Sequence, residues 1–253
     1  MLFRSDAFSF HPYLESSRLP PTFRHPLSTS ISLNDYDKLV ALLGQAFDGT
    51  AQPGTTLPVV YDEFGVQSRI GSRKVRHYTN RGAPAARDAV SEALQAAYYR
   101  RALELAACQP TVTGLLFFHV SDEHDMRAWQ SGLYYADDGP KSSLQPTKLA
   151  LDESRRGVVT HCDGLALTVK PTLVQRGAAL TLTCDLDCAY VAQLYRLPGK
   201  LLVTKRGRVT GGTPTTLPLR VPKAVASYRV RLSASATINP GKATTLRVNV
   251  GHG

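Results

Sequence analysis

The stretch that decides the fold of the first part of the chain is Leu57-Pro58-Val59-Val60-Tyr61-Asp62-Glu63-Phe64-Gly65. Its apolar run is short and nearly continuous, which is typical of a strand buried on both faces. A similar buried run follows at residues 112–120, an alternating run precedes it at residues 6–10, and segments with helical periodicity separate the three. This order predicts consecutive strand–helix–strand units around a parallel sheet.

Two main helices are predicted between these strands. Ser32 and Asp35 form a capping pattern ahead of the first helix, whose apolar residues fall on one face over residues 36–47. The second helix is predicted over residues 86–107, and Pro110 follows its end. With a short helix at residues 142–150, the first domain is expected to span residues 1–151.

The second part of the chain has no helical period. Seven β-rich runs are separated by turn residues, at 165–169, 179–183, 190–196, 200–204, 215–221, 227–233 and 244–250. Such spacing predicts a small immunoglobulin-like β-sandwich over residues 158–253. The linker is expected at about residues 152–157, so the overall class is α/β followed by all-β.

Charge is distributed unevenly along the 253 residues, whose net charge is +10. Residues 1–150 balance, with 15 basic and 15 acidic residues, whereas residues 151–253 hold 15 basic and five acidic residues. The basic β domain lacks a known nucleic-acid motif, and only Tyr190, Tyr195 and Tyr228 supply aromatic rings there. We therefore expect no nucleic-acid partner, but a solvated accessory domain in weak contact with anionic cell-surface polymer. Carbohydrate binding through the tyrosines is the alternative.

The sequence predicts neither a membrane span nor a secretory signal. No apolar run approaches eighteen residues, so no membrane span is expected. The first residues do not combine a charged region with an apolar region, so no secretory signal peptide is expected in this chain.

Polar residues that could carry chemistry follow the predicted strands. Glu63 ends the second strand, His11 and Tyr13 follow the first, and His119 ends the third. In a parallel sheet these ends lie at one edge, where active sites gather. On composition alone, a structural role for Glu63 as a strand-end acid is favoured, and His11 is equally compatible with a structural role.

A family resemblance adds to this interpretation. Phe8-Ser9-Phe10-His11-Pro12-Tyr13, Val59-Val60-Tyr61-Asp62-Glu63-Phe64-Gly65 and Leu115-Leu116-Phe117-Phe118-His119 resemble the last three strands of a (β/α)8-barrel glycoside hydrolase of the cellulase superfamily (clan A, family 5-like). There the sixth strand ends in His-x-Tyr and the seventh in the nucleophilic Glu. Residues 127–142 are similar to the segment that follows such barrels, and the resemblance covers about residues 5–150.

The resemblance implies a partial TIM barrel and retaining hydrolysis of O-glycosides. Glu63 would be the nucleophile, and His11 and Tyr13 would orient it or hold the sugar. His119 stands where the superfamily commonly has Trp, so Trp129 in the following loop would supply the sugar platform. The implied substrate is an oligo- or polysaccharide, and no metal or organic cofactor is implied.

The resemblance also leaves a gap. A retaining site needs a second carboxyl group about 5 Å from the nucleophile, and the family's acid/base Glu has no counterpart before His11. Asp62 is expected to face away from Glu63 because neighbours on a strand alternate, and Asp122, Glu123 and Asp125 are expected to form a solvated acidic loop. We therefore expect a C-terminal fragment that is inactive alone and poorly soluble. The alternative is a non-catalytic carbohydrate- or surface-binding protein acting through the β domain.

Four cysteines complete the candidate residues. Cys184 and Cys188 flank a three-residue turn candidate, so we favour a disulfide between them. Pairing of Cys162 with either one stays open. A zinc site is disfavoured because no second pair or nearby His has ligand spacing. Disulfides would imply an extracellular full-length parent.

Overall fold

The computed structural model describes residues 4–83, 86–159, 161–162, 167–170, 173–174, 177, 179–222, 227–237 and 243–250. The chain divides into two compact units, Met1–Asp163 and Gly164–Gly253. This division falls after Asp163, later in the chain than residues 152–157, the segment expected to be the linker.

A parallel sheet organises the first unit. Its strands are β1 (Phe8–Phe10), β2 (Val59–Phe64) and β3 (Val112–Phe117), in the order β1-β2-β3. The predicted strands and their parallel pairing are confirmed. The expectation that β3 is buried on both faces is wrong, because Leu116 is 52% exposed. Within the described residues β3 pairs only with β2 and forms an edge of the sheet.

Three α-helices accompany this sheet in the described part of the first unit: α1 (Tyr36–Phe47), α2 (Glu92–Ala107) and α3 (Leu144–Arg155). Helix α2 begins later than residue 86 because the Ser91 hydroxyl caps it, accepting the Leu94 N–H at 3.2 Å. Helix α3 continues past residue 150, and its Glu153 forms an ion pair with Arg100 of α2. A disulfide between Cys108 and Cys162 ties the following segment to the end of α2.

Helix α2 is largely buried and carries polar groups that hold the loops at the sheet edge. The Gln95 amide donates to the Val66 carbonyl at 2.9 Å, in the loop after β2. The Tyr99 hydroxyl donates to the Ser131 carbonyl at 2.6 Å, in the loop after β3. Buried polar groups need such partners, so α2 fixes both loops at once.

The second unit contains eight strands within the described residues. They are β4 (Leu167–Lys170), β5 (Leu173–Val174), β6 (Thr181–Cys184), β7 (Cys188–Arg196), β8 (Lys200–Val209), β9 (Thr215–Thr216), β10 (Tyr228–Ala236) and β11 (Thr244–Val250). Each of the seven predicted runs overlaps one of them, and β5 was not predicted. Residues 165 and 166 of the first predicted run lie outside the described residues. Strand β9 ends before Pro218, which has no N–H to give to a ladder.

These strands form two sheets, one in the order β5-β11-β10-β7-β8 and one in the order β4-β6-β9. Alternate residues of β7 and β10 are buried, and Ala192, Leu194 and Val230 are at most 1% exposed. This period of two leaves the intervening side chains of both strands on the opposite, outer face. The outer face carries charge, which the inner face cannot accommodate.

Candidate functional site

The candidate site lies at the carboxyl edge of the parallel sheet. Glu63 is near the end of β2, His11 and Tyr13 follow β1, and His119 follows β3. Parallel pairing places these strand ends beside one another. Gly65 directly follows β2. Its missing side chain lets the loop after β3 approach closely, since a Cβ at Gly65 would lie only 3.2 Å from the Ser131 Cβ.

Glu63 is held by two neighbours from the β1 end. The Tyr13 hydroxyl donates to Glu63 Oε2 at 3.4 Å, and His11 Nδ1 lies 3.4 Å from the same oxygen. The Glu63 side chain is 35% exposed and the His11 side chain 49%, so the group opens to solvent. Burial, and then the Glu63 carboxylate, raise the pKa of the Tyr13 phenol, which keeps it a proton donor.

Asp62 contacts the same imidazole as Glu63. His11 Nε2 lies 3.2 Å from Asp62 Oδ1, so the imidazole bridges Asp62 and Glu63. The register of β2 against β3 shifts between Tyr61 and Phe64, and such an irregularity breaks the simple alternation of side chains. The Ser9 hydroxyl also donates to Asp62 and is the main cause that lowers the pKa of that carboxyl.

An aromatic wall stands next to this group. The Trp129 ring centroid lies 5.4 Å from that of Tyr13 and 5.9 Å from that of Phe118. Trp129 remains 38% exposed, so part of the indole is free to contact a ligand. An exposed aromatic ring that contacts the tyrosine holding a carboxylate is an arrangement that can stack on a sugar ring near that carboxylate.

His119 is directed toward its own loop. Its Nδ1 lies 3.3 Å from the Ser131 hydroxyl and its Nε2 lies 3.6 Å from Glu123 Oε1. Its backbone has a φ of +76°, in the left-handed region that is uncommon for residues other than glycine. The structure therefore gives the His119 ring nitrogens contacts that differ from those of His11.

A cleft of about 180 Å³ opens beside Tyr13 and Trp129. Its lining includes Glu15, Gln67 and Asp88, which the sequence did not single out, and passes Phe64 and Gly65 rather than Glu63. The Ser17 backbone N–H donates to Asp88 at 2.9 Å, which joins segments 71 residues apart. No local pattern could have indicated this contact, because the residues meet only through the tertiary fold.

A buried ion pair supports the loop that carries Trp129. Lys141 Nζ lies 2.7 Å from Asp122 Oδ1, and both side chains are 0% exposed. Tyr78 donates to the other Asp122 oxygen at 2.7 Å. The expectation of a solvated acidic loop is thus wrong for Asp122. Lys141, which follows the Trp129 loop in the sequence, folds back and pairs with this carboxylate. Burial lowers the pKa of Lys141 and raises that of Asp122.

The cysteine pairing is Cys184 with Cys188 and Cys108 with Cys162. The first pair spans the turn between β6 and β7, where the Asp187 carboxylate accepts the Gly211 N–H at 2.8 Å. Cys162 pairs with Cys108 rather than with either cysteine of the second unit. Among the described residues no group of three His, Cys, Asp or Glu side chains is placed to hold a metal ion. In the same part of the chain, no helix has the length and apolar character to cross a membrane.

Comparisons with known proteins give matches only among solved structures. No protein-family model matches the chain, and no curated protein matches it. The solved structures that match include glycoside hydrolases. Bacteroides uniformis beta-glucuronidase 2, covalently bound to cyclophellitol-6-carboxylate aziridine, is 17% identical with a TM-score of 0.36, over 97% of this chain and 26% of that chain.

Two other matches are similarly distant. A putative beta-galactosidase from Bacteroides fragilis is 13% identical with a TM-score of 0.32, over 97% of this chain and 32% of that one. Beta-D-mannosidase from Dictyoglomus thermophilum is 11% identical with a TM-score of 0.27, over 78% of this chain and 27% of that one. The chain thus spans 26% to 32% of the length of these proteins. Such low scores do not assign an activity to it.

Proposed function

We propose that the first unit carries the nucleophile side of a retaining O-glycosidase site in a partial (β/α)8 barrel of the clan A type. The observation that carries this proposal is the Glu63 carboxylate at the sheet edge, contacted by His11 and by Tyr13, whose ring in turn contacts the exposed Trp129 ring. Strand ends of a parallel sheet are where side chains from separate segments converge on a substrate.

Glu63 would attack the anomeric carbon and form a covalent glycosyl ester. The glycosidic C–O bond breaks, and the departing oxygen takes the electron pair and needs a proton. Asp62 is unsuited to supply that proton, since the Ser9 hydroxyl and His11 favour its ionised form and lower its pKa. We infer that a different carboxyl group, about 5 Å from Glu63, completes the reaction.

The proposed substrate is an oligo- or polysaccharide. Trp129 would stack on one sugar ring, and the hydroxyl of Tyr13 and the imidazole of His11 would hold the reacting carboxylate and sugar hydroxyls. We propose that the second unit is an immunoglobulin-like accessory domain of a secreted protein. Its disulfide and the one in the first unit support an oxidising compartment.

A mechanism-based inhibitor tests the assignment of Glu63 without requiring the missing acid. We would incubate the full chain with a panel of 2-deoxy-2-fluoroglycosides that carry a 2,4-dinitrophenyl leaving group, which departs without a proton. We expect a mass increase of one fluorosugar on the peptide that contains Glu63. We expect no measurable turnover of unactivated alkyl glycosides by the same protein, because they require acid assistance.

Two variants, one at Glu63 and one matched control, show whether the label is specific to Glu63. Glu63→Gln should abolish labelling, whereas Asp37→Asn, which changes an exposed carboxylate in helix α1, should label like the parent. Labelling at another carboxylate, or a folded chain that no sugar of the panel labels, would contradict the proposal. Absence of labelling would favour the alternative, a protein that binds carbohydrate without cleaving it.

A further inference from the structure

The five-stranded sheet of the second unit has an outer face rich in arginine. Strand register places side chains that are direct Cα partners on the same face. Arg206 of β8 lies opposite Val191 of β7, which lies opposite Ser233 of β10. Continuing this register defines the arginine face, which contains Arg206, Arg208, Arg229, Arg231 and Arg247.

The arginine face has no acidic residue to balance its charge. Strands β7, β8, β10 and β11 contain neither Asp nor Glu. Four of the five arginines are exposed, and Arg229 is half-buried. The unit's two acidic residues, Asp185 and Asp187, lie in the turn between β6 and β7. Such a sheet face attracts anions over its whole width.

One pair on this face places like charges directly opposite each other. Arg231 of β10 is the Cα partner of Arg247 of β11, and Gln193 is its partner on the other side. Like charges at directly opposed positions destabilise a sheet. An anionic group held between the two guanidinium groups would remove that repulsion, and Arg is the side chain that binds carboxylate or sulfate through two parallel hydrogen bonds.

A groove follows part of the arginine face. Its volume is about 470 Å³, and its lining includes Arg206, Arg208, Ser233, Ser235 and Val191. Guanidinium groups beside hydroxyl groups suit a ligand that is both anionic and rich in hydroxyls. The half-buried Tyr195 is the Cα partner of Arg229 and thus lies on this face too. Its ring can pack against a sugar.

We propose that the arginine face binds a linear acidic polysaccharide, with carboxylate or sulfate groups paired to the arginines. From Arg208, opposite Ala189, to Arg229, opposite Tyr195, the face extends six residues along β7, roughly 20 Å at about 3.4 Å per residue. An extended polymer lying diagonally across the strands contacts all five arginines. Single-stranded nucleic acid is disfavoured because its bases need several stacking rings, and this face offers only Tyr195.

Binding of the full chain to defined polymers tests this proposal. Titration calorimetry would use polygalacturonate as the carboxylated probe, dextran sulfate as the sulfated probe, neutral dextran as the uncharged control, and single-stranded and duplex DNA as competing polyanions. We expect binding to polygalacturonate, dextran sulfate or both, no binding to neutral dextran, and weaker binding to DNA. Affinity should fall steadily with added salt because counterions are released on binding.

Two triple variants separate the arginine face from net charge. The face variant is Arg206→Gln, Arg231→Gln and Arg247→Gln. The matched control is Lys170→Gln, Lys205→Gln and Arg220→Gln, which removes the same charge from exposed residues of this unit that lie off the face. We expect the face variant to lose about tenfold or more in affinity and the control to change by less than about twofold.

Folding of the face variant is checked by its thermal unfolding, which should not occur at a lower temperature, since a like-charge pair has been removed. If it does unfold earlier, Arg247→Gln alone replaces it in the comparison. Equal losses in the face and control variants would overturn the proposal, as would equal binding to neutral dextran. Tighter binding to either DNA than to both acidic polysaccharides would overturn it as well. The binding assay does not require cleavage, so its outcome is independent of the role of Glu63.

Discussion

Tyr13 is the residue through which the Glu63 carboxylate can be tested most directly. Its hydroxyl donates to Glu63 Oε2, and its raised pKa keeps it protonated throughout the pH range in which a carboxylate ionises. Hydrogen bonds to the ionised form of a carboxylate favour that form. Tyr13→Phe removes one such bond. We expect inhibitor labelling of Glu63 to slow by about tenfold at a fixed pH, because the carboxylate loses a neighbour that orients it and a hydrogen bond to a charged group contributes about 1.5 kcal/mol.

The control for this change is Tyr36→Phe. Tyr36 is also half-buried, and its hydroxyl contacts Thr111 at 2.8 Å, away from the sheet edge. Its labelling rate should match that of the parent. A Tyr13→Phe protein that labels as fast as the parent would show that the phenol does not act on Glu63.

His25 contributes to the folding stability of the first unit, and this contribution depends on pH. Its ring lies between two carboxylates, with Nδ1 2.7 Å from Asp35 and Nε2 2.7 Å from Glu15. Burial by itself would lower the pKa of His25, but the hydrogen bonds to Asp35 and Glu15 outweigh it and raise the pKa. A raised pKa gives stability that is fully present below the ordinary value of about 6.5 and is lost as pH rises through the raised value.

We therefore expect His25→Gln to lower the free energy of unfolding more at pH 6 than at pH 9, measured by urea denaturation. His124→Gln, which changes an exposed ring, is the control and should show little difference between the two pH values. A loss for His25→Gln that is equal at both pH values would indicate a packing role without a charge contribution. Lys38 Nζ lies 2.7 Å from Asp35 Oδ1, so a cation stays next to this buried carboxylate when His25 is neutral.

At the scale of single elements, β3 exposes apolar surface. Leu116 in this edge strand is 52% exposed, and unpaired strand edges with apolar side chains promote association. We expect Leu116→Thr, which introduces a polar β-branched residue that still favours a strand, to lower the association of the full chain. Light scattering at increasing protein concentration measures this effect. Leu149→Thr is the matched control, because Leu149 is also 52% exposed but lies in helix α3. Equal improvement by both variants would contradict a role for the strand edge.

The elements themselves were largely predictable, and the reason differs from one to another. The β2 strand carries its own signal in the Val59-Val60-Tyr61 run, and α1 carries one in its apolar spacing after the Ser32 and Asp35 pattern. The start of α2 was not predictable from periodicity, since the Ser91 cap decides it. The exposure of β3 was not predictable either, because it depends on which neighbours a strand has.

The site shows the same division between local and tertiary information. Glu63, His11 and Tyr13 stand at strand ends that the sequence indicates, and parallel pairing then places these ends together. Asp62 also contacts His11, and this contact depends on where the segment after β1 places the imidazole, which the β2 sequence does not indicate. The pairing of Asp122 with Lys141 depends on a chain reversal, so it could not be inferred from either residue.

For the whole molecule, the two disulfides close loops of very different length. Cys108 and Cys162 are 54 residues apart, whereas Cys184 and Cys188 are four apart. A cross-link stabilises mainly by restricting the unfolded chain, and the effect grows with loop length. On that basis the long loop contributes about 4 kcal/mol and the short loop about 2 kcal/mol to the unit that contains it.

We therefore expect Cys108→Ala with Cys162→Ala to lower the free energy of unfolding of the first unit by roughly twice as much as Cys184→Ala with Cys188→Ala lowers that of the second. Denaturant unfolding under non-reducing conditions measures both, because Trp129 fluorescence reports on the first unit alone and far-UV circular dichroism reports on both units. A larger loss from the short-loop pair would show that packing of the buried Cys184 and Cys188 side chains, each 0% exposed, outweighs chain entropy. Because helix α2 positions the loops at the sheet edge, loss of the Cys108–Cys162 bond should also slow labelling of Glu63, whereas loss of the bond in the second unit should not.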